Sequence, residues 1–136
     1  MPVKRFLKLL RFLHLNDNSQ MPPRGSPNFD KLFKICPMIS HLQKCPSETF
    51  CPSRHLAVNE SMVPFKGRST MKQYRYMLMK PVKRGFKVWV MGCSITGFVM
   101  AFEVFAVKNT GNTIPGFGLG ENVVLGLSSM MRGMGF

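Results

Sequence analysis

The feature that most constrains the fold is a pair of apolar segments in the second half of the chain. Residues 85–93 and 97–107 are rich in β-branched and aromatic side chains, which favour strands. Only residues 94–96 separate the two segments, a connection of hairpin length. The longest uncharged run here, residues 88–102, is shorter than the roughly 18 to 20 residues of a membrane-spanning helix. The sequence therefore predicts two adjacent antiparallel strands and no membrane span.

Two helices are predicted upstream of these strands. In residues 4–15 apolar side chains recur at helical spacing while basic side chains share another face, which predicts an amphipathic helix. A mitochondrial presequence is an alternative interpretation, but the segment lacks the serine enrichment of such peptides. Asn28 can cap a second helix, which Pro37 would bend because proline lacks an amide donor. Pro46 and Pro52 are expected to end this helical part.

A third strand and a last helix complete the predicted fold. Residues 55–59 form a short apolar run that ends in an amide, Asn59. Glu121 is placed to open a helix through Met131, because an acidic residue interacts favourably with the dipole at a helix N-terminus. The expected class is α/β, with a three-stranded antiparallel sheet plus a helix, preceded by two helices.

The charge balance favours a polyanionic partner. The 136-residue chain has 19 Lys and Arg against 6 Asp and Glu, a formal net charge of +13, which suits nucleic acid or an acidic membrane surface. No acidic residue occurs between Glu60 and Glu103. The cations of this interval could neutralise phosphates, with neighbouring aromatic rings stacking on bases or simply packing, or they could form a solvated basic face. Charge alone gives no sequence specificity. The predicted nucleic-acid-binding residues are Lys66, Arg68, Lys72, Lys80, Lys83, Arg84 and Lys87.

Four cysteines raise the question of a metal site. Cys36, Cys45 and Cys51 are each followed by proline and are interleaved with His41 and His55. Their C-x8-C-x5-C spacing lacks a C-x2-C pair and fits no compact zinc knuckle. Without a secretion signal, reduced structural thiols are favoured over a zinc site or a disulfide.

Several long segments together resemble one family, the piggyBac-type transposases, and in particular the piggyBac transposable element-derived proteins. The similarity covers essentially the whole chain, and it is carried by RFLHLNDN, RGSPNFDKLFKI, LAVNESMVPFKGRSTMKQY, KPVKRGFKVWVM, SITGFV and LGENVVLGLS. The resemblance implies a cut-and-paste DNA transposase with a ribonuclease H-like catalytic domain. Three aspartates of such a domain bind two divalent metal ions, Mg²⁺ in the family, for strand cleavage and joining.

The resemblance also implies that the catalytic centre is degenerate. The family carries its first catalytic aspartate where this chain has Asn59, followed by the expected Glu60. An amide supplies a neutral oxygen without charge, so metal affinity should collapse. Glu60 is no ready substitute, because consecutive strand side chains point to opposite faces. We expect the side chain of Asn59 to hydrogen-bond neighbouring backbone. We also expect that the chain has no catalytic residue and binds no metal and no cofactor. Cys93 stands where relatives usually carry an acid.

The remaining family features are expected outside these residues. By resemblance the other two aspartates and a cysteine-rich DNA-binding module follow Phe136, and a further portion precedes Met1. Residues 1–52 are then a helical segment and residues 53–136 a truncated ribonuclease H-like domain, in which residues 55–59 expose a strand edge.

Three functional readings follow from the resemblance. The first is a catalytically inactive, nuclear, transposon-derived fragment with residual non-specific DNA binding and no membrane partner. The second is an interaction protein that pairs with an intact relative through the open sheet edge. The third is a gene fragment without function.

Overall fold

The computed structural model describes residues 1–74, 81–105 and 114–131. The chain divides into two compact units, Met1–Cys45 and Pro46–Phe136. The predicted domain boundary after residue 52 stays a prediction. Among the described residues, no helix is both long and apolar enough to cross a membrane.

The first unit begins with the predicted amphipathic helix. Helix α1 spans Val3–Phe12, so the prediction for residues 4–15 is confirmed with an earlier end. Leu13 already has extended backbone dihedral angles, and its N–H donates to the carbonyl of Leu10. None of the side chains of α1 is buried. Its apolar face is therefore in contact with solvent.

The second helix starts later than predicted. Helix α2 spans Cys36–Thr49, and a short 3₁₀ turn precedes it. The prediction of a helix capped by Asn28 is wrong, because the carboxylate of Asp30 accepts a 2.8 Å hydrogen bond from the N–H of Leu32 and holds this stretch in a local turn. Pro37 lies in the first turn of α2, where its missing N–H leaves no intrahelical bond unmade, so the physical reason for the predicted bend does not apply.

The end of α2 also differs from the prediction. Pro46 was expected to close the helical part but lies inside α2, which continues to Thr49. A proline in a helix interior removes one backbone hydrogen bond. The next turn is nevertheless closed, since the N–H of Phe50 donates to the carbonyl of Pro46 at 3.0 Å. Pro52 follows the end of the helix, as expected.

The second unit contains the antiparallel sheet. Its strands are β1 (Leu56–Pro64), β2 (Gln73–Tyr74), β3 (Arg84–Cys93) and β4 (Val99–Val104). The predicted β3–β4 hairpin is confirmed, and β1 is confirmed but extends beyond the predicted residues 55–59. All three other strands pair with β3, so it lies at the centre of the sheet. The two-residue strand β2 was not predicted and makes this a four-stranded sheet.

The core lies between the sheet and a last helix. Helix α3 spans Leu119–Ser128, continues into a short 3₁₀ turn and packs against β3 and β4. Glu121 acts at its N-terminus as predicted, since its carboxylate accepts a 2.7 Å hydrogen bond from the N–H of Gly118. The fully buried side chains of the cluster include Met91 and Met100 on the sheet.

Strand geometry assigns the side chains of β1 to two faces. Val58 packs against the core cluster under α3. Because side chains alternate along a strand, Glu60 shares the face of Val58, and Asn59 lies on the opposite face. The side chains of Asn59 and Glu60 therefore point away from each other.

Candidate nucleic-acid interface

An open groove at one end of the sheet collects four of the predicted nucleic-acid-binding residues. It encloses about 590 Å³. No acidic side chain occurs among the described residues of its wall. Those residues are Pro64, Phe65, Lys66, Lys72, Tyr74, Pro81, Val82, Lys83 and Arg84. We call this feature the basic groove.

The connection between β1 and β2 forms one side of the basic groove. The ammonium of Lys72 donates a 2.9 Å hydrogen bond to the carbonyl of Gly67, which draws the connection into a loop. The ring of Phe65 packs on Phe86 of β3, with centroids 4.8 Å apart. A side chain at position 67 would collide with the Phe65 ring, so glycine permits this close fold. The loop thus presents Lys66 to solvent above an anchored aromatic ring.

The pairing of β2 with β3 forms the other side. Tyr74 lies opposite Arg84 in the antiparallel register. The guanidinium carbon of Arg84 lies 5.1 Å from the centroid of the Tyr74 ring, within range of a cation–π interaction. Both side chains are exposed. This contact could not be predicted from the sequence, because β2 is too short to show an alternating pattern.

Two further candidate residues are not among the described residues of the groove wall. Arg68 is exposed in the β1–β2 connection but is absent from the described wall. Lys80 lies outside the described residues.

Lys87 differs from the prediction. It was expected to contact phosphate, but the residue is only 5% exposed. Its ammonium lies 3.1 Å from the carboxylate of Glu60 and 4.0 Å from the centroid of the Trp89 ring, and the ring of Phe105 is also near. A buried cation that is already neutralised by a carboxylate is not available to a phosphate. In the register Lys87 faces Met62, so it reaches Glu60 diagonally across the pair of strands.

Asn59 is exposed on the sheet face opposite to α3. The expected hydrogen bond from its side chain to neighbouring backbone is not found within the part of the chain that the structure describes. Glu60 is turned to the other face and paired with Lys87. Its carboxylate is therefore directed away from the face on which Asn59 lies.

The cysteines are dispersed. Cys36 and Cys51 are exposed, and the Cys45 sulfur lies 3.4 Å from Nε2 of His41 one helical turn earlier. The described residues contain no cluster of three or more His, Cys, Asp or Glu side chains that could hold a metal ion. The arrangement gives no support to the zinc hypothesis.

Cys93 is the buried thiol at the end of β3. It is 2% exposed, and its sulfur lies 3.2 Å from the hydroxyl of Ser53. Hydrogen bonds from Ser53 and then Thr96 lower the pKa of the Cys93 thiol to about 6, against the opposing effect of burial. The thiol is therefore shielded from solvent.

Comparison with known proteins identifies the family. The family model described as Transposase IS4 matches residues 1–135. The chain belongs to this family. The human piggyBac transposable element-derived protein 3 is 31% identical over 132 residues, which cover 93% of this chain and 20% of the relative. The human piggyBac transposable element-derived protein 5 is 29% identical over 111 residues, which cover 79% and 20%.

A solved structure is also similar. The cryo-EM structure of a piggyBac transposase synaptic complex with hairpin DNA matches 98% of this chain with a TM-score of 0.81 and 27% identity. The match covers 27% of the transposase chain, and this chain spans about a fifth of the two human relatives. The predicted resemblance to piggyBac-type transposases and the predicted α/β, ribonuclease H-like class are confirmed.

Proposed function

We propose that this transposase-derived polypeptide binds DNA through the basic groove, without sequence preference, and does not cleave it. The observation that carries the proposal is the convergence of Lys66, Lys72, Lys83 and Arg84 on one open groove. Cations that share a concave surface reinforce one another and attract a polyanion. A DNA ligand also implies a nuclear location.

Electrostatics favour phosphate over other ligands at this site. The described wall of the groove carries no carboxylate that would repel phosphate. The net charge of +13 attracts DNA from a distance, and contact between a cation and a phosphate releases condensed counterions. Because lysine and arginine contacts to phosphate do not read the bases, the expected binding is sequence-independent.

The absence of cleavage follows from the chemistry of Asn59. A two-metal mechanism needs several anionic oxygens around the cations. Asn59 offers only a neutral amide, and the neighbouring carboxylate of Glu60 is held by Lys87 on the opposite face. The exposed Asn59 is therefore not assisted by the acid beside it.

The first prediction concerns salt-dependent binding. The protein should bind a random-sequence DNA duplex at about 50 mM salt and release it as salt rises, because counterion release dominates. Replacing the four groove cations by glutamine should reduce the slope of log K against log salt by about 3 to 4 and weaken binding roughly 100-fold or more. Fluorescence anisotropy of labelled duplex would measure both quantities. The variant is Lys66→Gln, Lys72→Gln, Lys83→Gln and Arg84→Gln.

A matched variant controls for net charge. It removes an equal number of positive charges, four, from exposed positions outside the groove, and it should bind DNA nearly as tightly as the wild type. Equal losses in the two variants would show that the groove is not the site. The control substitutions are Lys4→Gln, Lys8→Gln, Arg11→Gln and Lys34→Gln.

Supercoiled plasmid incubated with the wild type and Mg²⁺ should stay intact, and nicking by the pure protein would overturn the claim of inactivity.

A second candidate function is pairing with an intact relative. Among the described residues β1 pairs only with β3, so its other edge presents unpaired backbone groups that another strand could join. This role predicts co-purification of the protein with a full-length piggyBac-type relative after nuclease treatment and at high salt. Loss of the association under those conditions would attribute it to shared DNA and exclude strand pairing.

A further inference from the structure

We propose that the basic groove receives an unpaired DNA strand and that one base stacks against the pair formed by Tyr74 and Arg84. This inference rests on the proposed DNA binding and specifies the form of DNA that the site prefers. The inference depends on the exposed ring of Tyr74 and on the open depressions beside it.

Tyr74 is a large aromatic side chain that is exposed to solvent. It ends the two-residue strand β2 and is 57% exposed, although most large aromatic side chains gain stability from burial. The guanidinium of Arg84, 5.1 Å from the ring centroid, limits the orientations of the ring. The pair thus presents an aromatic ring and a positive charge to solvent.

Open space adjoins this pair in two places. The basic groove of about 590 Å³ is one of them. A second depression of about 300 Å³ is lined by Lys72, Gln73, Tyr74 and Arg84. Tyr74 and Arg84 belong to both walls, together with Lys72. A strand that passes from one depression to the other would therefore bring its phosphates near lysines and a base near the Tyr74 ring.

Stacking requires that the base be unpaired. In a duplex the faces of the bases are covered by their neighbours, so an aromatic side chain cannot reach them, whereas a single strand exposes them. The other aromatic ring of the groove is already engaged, because Phe65 packs on Phe86. Tyr74 is therefore the residue of the described wall suited to base stacking.

The test compares strands with and without bases. A short oligothymidine and an abasic oligonucleotide of the same length carry the same phosphates, so their difference in affinity isolates contacts to bases. The wild type should bind oligothymidine about 10-fold more tightly, since one stacked base contributes roughly 5- to 150-fold. Tyr74→Leu should remove this preference, so that oligothymidine and the abasic strand bind the variant with equal affinity. Tyr74→Phe should retain the preference.

Each outcome decides between the proposals. If the wild type binds the abasic strand and oligothymidine equally, base stacking is excluded while groove binding stands. If Tyr74→Leu weakens the binding of oligothymidine and of the abasic strand to the same extent, Tyr74 has a structural role only, and the inference is wrong. If none of the ligands binds at low salt, both this inference and the proposed function fail. Thermal unfolding of the variants, monitored by circular dichroism, checks that the exposed substitutions leave the fold intact.

Discussion

Replacing Glu60 by glutamine should lower the free energy of unfolding by about 3 to 5 kcal/mol. The substitution keeps the shape of the side chain but removes the charge that neutralises Lys87. The ammonium of Lys87 lies 3.1 Å from the Glu60 carboxylate in a residue that is 5% exposed. A cation left in such a position without its counter-charge cannot recover the hydration that it loses on folding. Urea unfolding followed by the fluorescence of Trp89 would measure the change.

A double variant separates the charge from the packing. Glu60→Gln combined with Lys87→Met leaves no unpaired charge and should recover most of the lost stability, because an apolar replacement of a buried ion pair is often neutral or stabilising. Glu121→Gln is the control at an exposed acid and should cost no more than about 1 kcal/mol. A loss below about 1 kcal/mol for Glu60→Gln alone would mean that the pair is better hydrated than its burial indicates.

The same substitution, glycine to alanine, should have opposite effects at two positions. Gly85 of β3 lies opposite Pro64 of β1 and Gln73 of β2, and an added Cβ would overlap the carbonyl oxygen of Val63. Because backbone cannot rotate away as a side chain can, Gly85→Ala should destabilise the protein by about 3 kcal/mol or more. Gly126 of α3 has open space at its Cβ position, so Gly126→Ala should stabilise by about 0.5 to 1 kcal/mol.

Thermal unfolding of the two variants in parallel tests this pair of predictions. The melting temperature should fall for Gly85→Ala and rise for Gly126→Ala. A fall of similar size in both would indicate a general intolerance of added volume, and it would remove the argument from the close contact of β1 and β3.

Local patterns were sufficient where one segment determines its own structure. The hairpin of β3 and β4 follows from two β-prone runs joined by a short turn, and the start of α3 follows from an acid that can cap it. Local patterns did not predict the bounds of the second helix. Its start depends on the turn made by Asp30, and Pro46 is accommodated inside α2 although local rules exclude it. Strand β2 was missed because two residues carry no periodicity.

The sequence by itself determined the family, the α/β class, the excess of positive charge and the amide at position 59, because each of these is a property of residue identity and order. Only the tertiary structure decided which cations are available. Lys66 and Lys72 lie well before Lys83 and Arg84 in the sequence, and only the pairing of β1, β2 and β3 brings these cations into one groove. Lys87 belongs to the same run of cations, yet strand register turns it inward to Glu60. Burial and ion pairing depend on contacts between strands, so they cannot be predicted by counting charges along the chain.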